Sequence, residues 1–367
     1  MRFPGFTDEW KKTTLGECTE RLCNGLTYDT TINQGVKVSR IETIHNRSID
    51  YQKVGFYNGS IDKVSDYIMK SGDILFSHIN SLSHMGKTAI YQGEEPLIHG
   101  MNLLLLRSKP TINPHFLYYL LNTWKLSSRF QIIAKPAVNQ ASISTSDLKK
   151  ENICICEIQE QDKIARLLQL VDVRIATQNK IIDHLQSLIK GLRVKLFSNP
   201  CSRYILLGEI AQLYQPKTIA TSELEETGYM VYGANGVIGH YHSFNHKQPQ
   251  ICIGCRGTCG QVIITRPNSW ITGNAMVVNI ENNQNIAQSY LFHFLSCYNY
   301  TPIISGSTQP QIVRSPLEKI KVPYLELKEQ KKIAHILDSV TSKIKLEQNT
   351  LRILQIQKNY LLSKMFI

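Results

Sequence analysis

The chain has 367 residues, enough for two domains that each bury their own core. Its hydrophobic fraction of 42% and charged fraction of 19% are typical of a globular protein and exclude an intrinsically disordered one. The longest purely aliphatic run, Leu103 to Leu106, is far too short for a membrane-spanning helix. The net charge of +12 indicates a polyanionic partner and favours nucleic acid.

The chain contains nine cysteines, an odd number, and we recognise no secretory signal in it. This usage is typical of reduced thiols in an intracellular protein. We therefore expect a cytoplasmic protein.

The first predicted domain, residues 1–158, combines short strands with a short helix. Residues 73–79, 87–92 and 97–106 have the pattern of β-strands, and Gly and Ser turns separate them. Asn113-Pro114 then begins a helix, with Asn as its N-cap and Pro in its first turn.

The next segment, residues 159–199, is predicted to be one long helix. Its apolar positions alternate steps of four and three, which is a heptad seam with one polar interruption. The seam consists of Ile164, Leu168, Val171, Ile175, Gln178, Ile182, Leu185, Ile189, Leu192 and Leu196. At 1.5 Å per residue these positions span about 50 Å.

A second domain, residues 200–325, and a second long helix, residues 326–367, follow the same plan. The predicted strands of this domain are 250–253, 261–265 and 276–280. A short helix is predicted from about Ser289 to Cys297. The second seam consists of Ile333, Leu337, Val340, Ile344, Glu347, Leu351, Leu354, Lys358, Leu361 and Met365.

The two halves are an internal repeat. Gln140–Phe197 matches Gln309–Phe366 without gaps at an offset of 169 residues. Both halves also begin alike, with Leu15-Gly16-Glu17 and Leu207-Gly208-Glu209. Duplication of a half-molecule explains both observations.

The two seams are expected to cover each other. A whole domain separates the helices, so the second can return and pack against the first in antiparallel fashion. Gln178 and Glu347 would then meet and fix the register at some cost in stability, unless both lie at the edge of the seam and contact water. The predicted fold is mixed α/β (α+β), with two domains separated by two long antiparallel coiled-coil helices in a pseudo-two-fold repeat.

More than half of the positive surplus lies in the two helices. Residues 159–199 contain seven Lys and Arg against four Asp and Glu, and residues 326–367 contain eight against four. Such charges could contact DNA phosphates, but they are equally typical of a solvated helix face.

Two short motifs suggest an enzyme but lack the context that it needs. Gly86-Lys87-Thr88 resembles the end of a phosphate-binding P-loop, but Ser81 stands where that motif needs glycine, and a strand follows instead of a helix. Asn113-Pro114-His115-Phe116 is one residue from a motif of many amino-methyltransferases, but no glycine-rich cofactor loop precedes it. Neither motif predicts catalysis.

Cys252, Cys255 and Cys259 lie near three histidines within residues 240–246 and raise the question of zinc. Structural zinc sites usually need a second cysteine pair or Cys2His2 spacing, which is missing here. The stretch aligns with residues 74–90, which have no cysteines, so an ordinary strand turn is favoured and no metal site is predicted.

Three features together resemble a known family. The chain begins with Phe3-Pro4-Gly5-Phe6, Trp10 and Leu15-Gly16-Glu17. Each long helix begins with Glu-Gln and then Ile-Ala, in the pairs Glu160-Gln161 with Ile164-Ala165 and Glu329-Gln330 with Ile333-Ala334. The segment Gly306-Ser307-Thr308-Gln309-Pro310 precedes Ile312 and Leu317. In content and order the whole chain resembles the specificity subunits of Type I restriction-modification enzymes, except that Cys154-Ile155-Cys156-Glu157 stands where the family usually has prolines.

The resemblance implies two target-recognition domains that each bind half of a split sequence in double-stranded DNA. The helices would be a spacer and the docking surface for two methyltransferase (modification) subunits, with motor-nuclease subunits as further partners in a restriction complex. The chain would then be non-catalytic and bind no cofactor, because S-adenosylmethionine, ATP and Mg²⁺ belong to the partners. Half-sites of such a two-fold reader are expected roughly one helical turn apart, and unlike domains imply unlike half-sites.

Base recognition needs Arg, Asn, Gln, His, Ser or Thr on loops that enter a groove. The first-domain candidates are His78, Asn80, Ser81, Ser83, His84 and, for a phosphate, Lys87. The second-domain candidates are Arg256 and Thr258, and further candidates are Gln140, Thr308 and Gln309. Each of these residues could instead belong to an ordinary polar turn.

Two other classes of function remain open. A self-sufficient methyltransferase or nuclease would need a complete cofactor loop or a cluster of acidic metal ligands, and the sequence contains neither pattern. A coiled-coil adaptor with no role in nucleic-acid binding would be favoured by a failure to shift DNA in a gel, alone or with a methyltransferase.

Overall fold

The computed structural model describes residues 1–136, 140–198, 203–306 and 308–366. The chain divides into two compact units, one formed by Met1–Thr177 with Leu351–Ile367 and the other by Gln178–Thr350. Each unit therefore contains small sheets and parts of both long helices. In the described part of the chain, no helix has both the length and the apolar character needed to cross a membrane.

The first unit contains a four-stranded antiparallel sheet in the order β2-β11-β7-β9 and several smaller sheets. Its strands are β1 (Lys11–Thr14), β2 (Thr19–Asn24), β3 (Val36–Val38), β4 (Ile44–His45), β5 (Ser48–Ile49), β6 (Gly55–Tyr57), β7 (Ile74–Phe76), β8 (Ile79–Asn80), β9 (Thr88–Ile90), β10 (Leu97–Ile98), β11 (Leu104–Ser108), β12 (Lys135–Pro136), β13 (Ala141–Ser142) and β14 (Asn152–Ile155). Its helices are α1 (Leu15–Cys18), α2 (Pro114–Leu121), α3 (Trp124–Ile133), α4 (Thr145–Lys149) and the beginning of α5 (Ile158–Phe197). Short 3-10 helices lie at Ile41–Thr43, Ile61–Tyr67 and Leu82–His84.

The second unit repeats the sheet order as β16-β22-β19-β20. Its strands are β15 (Tyr204–Leu206), β16 (Gln212–Tyr214), β17 (Tyr229–Gly233), β18 (Gly236–Tyr241), β19 (Ile251–Gly254), β20 (Val262–Ile264), β21 (Trp270–Ile271), β22 (Ala275–Asn279), β23 (Ile304–Ser305), β24 (Gln311–Ile312) and β25 (Lys321–Pro323). Its helices are α6 (Leu207–Ile210), α7 (Gln288–Cys297), α8 (Arg314–Glu318) and the beginning of α9 (Leu327–Met365), with 3-10 turns at Thr221–Glu223 and Thr301–Ile303. The mixed α/β fold and both long helices are as predicted.

Two strand predictions were wrong in detail. Residues 97–106 form two strands, β10 and β11, which belong to different sheets. The chain turns between them, where Asn102 has a left-handed φ of 68° and the buried His99 contacts the carbonyl oxygen of Leu103 at 3.0 Å. Residues 73–79 also divide, because β7 ends at Phe76 and β8 pairs with β13 in another sheet.

The predicted beginning of α2 is confirmed. The Asn113 side chain accepts hydrogen bonds from the backbone N–H groups of His115 and Phe116 at 2.9 and 3.0 Å. Pro114 occupies the first helical position, where its missing N–H leaves no bond unmade.

The heptad seams are buried within each unit. In the first unit, Ile164 and Leu168 of α5 share a hydrophobic core with Leu362 and Met365 near the end of α9. The polar seam position Lys358 forms an ion pair with Asp172 at 2.5 Å. The beginning of one helix thus packs with the end of the other, as antiparallel pairing requires.

In the second unit, the polar seam residues Gln178 and Glu347 are in contact. The Gln178 side-chain amide donates to the Glu347 carbonyl oxygen at 3.2 Å and also to the Glu347 carboxylate. Lys343 pairs with the same carboxylate from one turn away, at 2.5 Å. Gln178 is only 4% exposed, so this polar contact replaces a water contact.

A repeated glutamine connects each domain to its long helix. Gln161 accepts from the backbone N–H of Asn113 at 2.9 Å and donates to the carbonyl oxygen of Cys156 at 2.8 Å. Its repeat partner Gln330 accepts from Ala287 N–H at 2.9 Å and donates to the Leu325 carbonyl oxygen at 2.8 Å. Both glutamines are buried, so each satisfies backbone groups that water cannot reach.

Replacing either glutamine should therefore destabilise its own unit. We expect Gln161→Ala and Gln330→Ala each to lower the free energy of unfolding by about 2–4 kcal/mol, because buried backbone groups lose their partners. Urea unfolding measures this change, and Gln186→Ala on the exposed face of α5 is the matched control. An equal effect of all three substitutions would contradict the assignment.

Candidate nucleic-acid interface

The 78–87 loop, which connects β7 to β9, holds all six first-domain candidates. The Ser81 hydroxyl lies 2.7 Å from His84 Nδ1, and the Ser83 hydroxyl lies 3.2 Å from the same atom. Asn80 Nδ2 donates to the Ser77 hydroxyl at 3.1 Å. These bonds order the polar side chains before any ligand arrives.

His78 differs from the other residues of this loop. It is only 6% exposed, and its Nδ1 atom has no hydrogen-bond partner among the described residues. Burial lowers the pKa of His78 to about 4, so the imidazole is neutral at pH 7. In this conformation the His78 side chain packs in the interior under the loop. The backbone carbonyl oxygen of His78 accepts a hydrogen bond from Ile143 N–H at 2.9 Å.

Strand pairing places Gln140 beside the 78–87 loop. β13 pairs antiparallel with β8, and Ala141 lies opposite Asn80. Gln140 immediately precedes β13 and is exposed. The first-unit candidates are thus brought together although about 60 residues of chain separate them.

The four second-unit candidates are also brought together. Arg256 forms an isolated antiparallel bridge with Gln311, and Ile312 N–H donates to the Cys255 carbonyl oxygen at 2.9 Å. Thr308 and Gln309 lie in the turn between β23 and β24, next to this bridge. All of the candidates, Arg256, Thr258, Thr308 and Gln309, are exposed. Ser307 of the same turn lies outside the described residues.

The cysteines of this region are protonated structural thiols. Cys252 and Cys255 are fully buried, and burial raises the pKa of Cys255 to about 11. The Cys259 thiol donates to the carbonyl oxygen of Pro310 at 3.1 Å and so contacts the turn that holds Gln309. Over the described ranges, no group of three or more His, Cys, Asp or Glu residues is placed to hold a metal ion.

Sequence reasoning missed one wall of the first-unit surface. A cleft of about 270 Å³ lies between the 78–87 loop, represented by Asn80, His84 and Lys87, and a separate segment that contributes His45 and Lys53. That segment precedes the loop by some 30 residues and has no periodic or motif signal. Only the packing of β4 and β5 against β9 places it there.

In the second unit, sequence reasoning missed the β17–β18 hairpin. A Cβ atom added at Gly254 would lie 2.5 Å from the Ala234 carbonyl oxygen and 2.3 Å from that of Thr258. The hairpin tip, Ala234-Asn235, therefore packs against the loop that carries Arg256. The Asn235-Gly236 dipeptide between two strand-like runs was an available hairpin signal.

Both long helices also carry exposed apolar side chains outside the seams. Leu170 and Val173 of α5 are 59% and 63% exposed. They lie two residues beyond the seam positions Leu168 and Val171, which turns them about 200° away from the seam. In the first unit, α9 also carries exposed apolar residues outside its seam, namely Ile353, Ile356 and Tyr360. In the second unit, the exposed apolar residues of the two helices are Ile181, Leu188, Val194, Ile336 and Leu346.

Comparison with known proteins agrees with this organisation. A family model for the Type I restriction modification DNA specificity domain matches residues 7–187 and 204–355. The chain is 31% identical to the type I restriction enzyme MjaX specificity subunit of Methanocaldococcus jannaschii, over 93% of this chain and 89% of that protein. It is 29% identical to the EcoprrI specificity subunit of Escherichia coli over 36% of this chain and 34% of that protein.

Two solved structures share the fold. The S subunit of a Type I restriction-modification system from M. genitalium has a TM-score of 0.68 at 20% identity, over 100% of this chain and 99% of that one. A chain from a structural study of the assembly and conformational transition of the type I R-M system has a TM-score of 0.58 at 15% identity, over 98% and 97% of the two chains.

The burial of His78 predicts a pH dependence of stability. The pKa of His78 is about 4 in the folded chain against an ordinary value of 6.5, so the unfolded state binds more protons between these two values. The free energy of unfolding should therefore fall as the pH drops from 6.5 towards 4, and His78→Gln should make this fall less steep. Urea unfolding across this range measures the slope, and an NMR titration of the His78 imidazole with a midpoint near 6.5 would contradict the prediction.

Proposed function

This chain belongs to the family of Type I restriction-modification DNA specificity subunits, and from that membership we propose that it binds a split DNA sequence and recruits methyltransferase subunits to it. We assign residues 1–158 and 200–325 to the two target-recognition domains. Residues 159–199 and 326–367 are the spacer helices.

The observation that carries this proposal is an antiparallel backbone pairing that recurs in both units, as a short strand pair in the first and a single bridge in the second. In each unit, the loop after a central strand pairs with the segment that follows the repeated glutamine, Gln140 or Gln309. In the first unit the loop residue is Asn80, opposite Ala141, and in the second it is Arg256, opposite Gln311. The same framework thus presents different side chains, which suits two half-sites of different sequence.

The exposed apolar residues of the long helices support the docking of two methyltransferase subunits. Each unit carries one group of them, and in the first unit Ile353, Ile356 and Tyr360 share one exposed face of α9, as the apolar residues of a helical interface do. We propose that each group binds one methyltransferase subunit, and that motor-nuclease subunits join the complex through these partners.

We also propose that the chain is non-catalytic and that S-adenosylmethionine, ATP and Mg²⁺ bind to the partner subunits. The two enzyme-like motifs have structural roles here. Thr88, the last residue of the P-loop-like motif, is buried in β9 and accepts from Asn122 Nδ2 at 2.6 Å. Asn113 caps α2 and donates to Asp162 of α5 at 2.7 Å.

Mapping methylated bases in host DNA with and without this gene tests the function directly. We expect the gene to be required for methylation of one split motif with a fixed gap. The purified chain alone should transfer no methyl group to a duplex that carries that motif. Methyl transfer by the chain alone would favour a self-sufficient enzyme, and the absence of any gene-dependent motif would contradict DNA recognition.

Substitutions in the two loops should separate base contacts from phosphate contacts. Arg256→Ala should relax one base position in one half-site and weaken binding to the mapped duplex about tenfold. Lys87→Ala should weaken binding to all duplexes alike and reduce the dependence of log affinity on log salt by about one. Lys63→Ala, an exposed lysine that does not line the cleft, is the control, and a Lys87→Ala variant indistinguishable from it would contradict the assignment.

The docking proposal predicts a change in stoichiometry. Ile356→Asp puts a charge into the exposed apolar group of the first unit, so native mass spectrometry should show one bound methyltransferase instead of two. Gln357→Asp, at the exposed neighbouring position, should retain two. Two bound subunits in the Ile356→Asp complex would place the interface elsewhere.

A further inference from the structure

The hairpin formed by β4 and β5 has an unusual turn. Its strands pair Ile44 with Ile49 and His45 with Ser48, which leaves Asn46 and Arg47 as a two-residue turn. Their φ angles are 48° and 63°, so both residues are left-handed, as a type I′ turn requires. Glycine is favoured at the second position of such a turn, and arginine is not.

Arg47 stands out among the residues with this backbone conformation. Within the described residues, the non-glycine residues with positive φ are Asn46, Arg47, Asn102 and Asn268. Asparagine tolerates this region, because its short side chain bonds locally, whereas a long arginine side chain gains nothing from it. Such a conformation costs free energy, persists where the surrounding structure imposes it, and is most frequent at functional sites.

The rest of the unit holds the hairpin backbone in place. The buried Tyr118 hydroxyl donates to the carbonyl oxygen of Arg47 at 2.8 Å. At the base of the hairpin, the fully buried Thr43 donates from its hydroxyl to the Lys53 carbonyl oxygen at 2.6 Å, and its own carbonyl oxygen accepts from Asp50 N–H at 2.9 Å. The turn is therefore a rigid support for the side chains at its tip.

The Arg47 side chain itself is available for a ligand. It is exposed, and its guanidinium forms no hydrogen bond or ion pair with any described residue. The adjoining His45 lines the cleft whose opposite wall is Asn80, His84 and Lys87. Glu42 is the carboxylate of this cleft, and Arg40 lies 3.6 Å from it and offsets its charge.

We propose that the Asn46-Arg47 turn enters the major groove of the half-site bound by the first unit, where Arg47 binds a guanine. This inference rests on the proposed function and extends it to a residue that neither the repeat nor a motif marks. The major groove admits a two-stranded β-ribbon, and the forked guanidinium donates two parallel bonds to O6 and N7 of guanine. The fixed turn holds the backbone of Arg47 in place, which limits the positions that the guanidinium can reach in the groove.

The test uses the full chain with its methyltransferase partners and a synthetic duplex that carries the mapped motif. Arg47→Gly relieves the left-handed backbone, so its melting temperature should equal or exceed that of the wild type. Its affinity for the duplex should nevertheless fall about tenfold or more, and one G·C position of one half-site should lose its base preference. Arg47→Lys keeps the charge but not the fork, so it should relax the same position.

Asn268→Gly is the matched control. It also relieves a left-handed exposed residue, with φ of 51°, but it lies in the second unit. It should leave both the affinity and the base preference of the first half-site unchanged.

Three outcomes would overturn the inference. Unchanged affinity and preference in Arg47→Gly, with a wild-type complex that binds the split motif, would contradict the role of Arg47 and leave the proposed function intact. A uniform loss of affinity that Arg47→Lys fully restores would show a phosphate contact. A wild-type complex with no preference for any duplex would contradict the proposed function and, with it, this inference.

Discussion

Burial of two narrow apolar seams is the constraint on which the rest of this structure depends. A helix with one apolar stripe must cover it, and in the first unit Ile164 and Leu168 of α5 do so with Leu362 and Met365 of α9. The same core includes Phe116 of α2 and Phe76 of the central sheet. The long helices are therefore part of the core of this domain, and loss of their packing would also loosen the sheet that carries the 78–87 loop.

The two units attach their short helix to the long helices by different polar chemistry. In the first, the Tyr119 hydroxyl donates to Asp172 at 2.8 Å, and Lys358 pairs with the same carboxylate. In the second, the fully buried His293 donates from Nε2 to Asp338 at 2.9 Å and accepts from Arg193 at 3.0 Å. In the first unit the Asp172 carboxylate thus joins α2 to both long helices, whereas in the second unit the His293 ring joins α7 to both of them.

What the units share is the buried glutamine, Gln161 or Gln330, which bonds to backbone atoms only. Because it depends on no neighbouring side chain, the surrounding residues can change without loss of this connection. This separation suits a protein whose candidate recognition loops differ between its halves while the framework repeats. On this shared framework, the loop of the second unit exposes Arg256, whereas the loop of the first unit carries Ser81 and His84, whose side chains are hydrogen-bonded to each other.

Local sequence rules determined the helical part of the fold. Heptad spacing located both long helices to within a residue or two of α5 and α9, and the Asn113 cap located α2, because these signals depend on neighbours three or four residues away. The repeat also linked Gln140 with Gln309, and strand pairing places each beside the loop that was proposed from composition alone.

Three features of the first unit depend on the tertiary structure and could not be predicted from local sequence patterns. The tertiary structure divided residues 97–106 between two sheets, turned His78 inwards, and brought His45 and Lys53 to the cleft of Asn80. These outcomes depend on contacts between residues that are distant in the chain, and a local period carries no information about them. The left-handed backbone of Arg47 is of the same kind, because the bond from Tyr118 and the packing around Thr43 hold a turn that arginine at its second position does not favour.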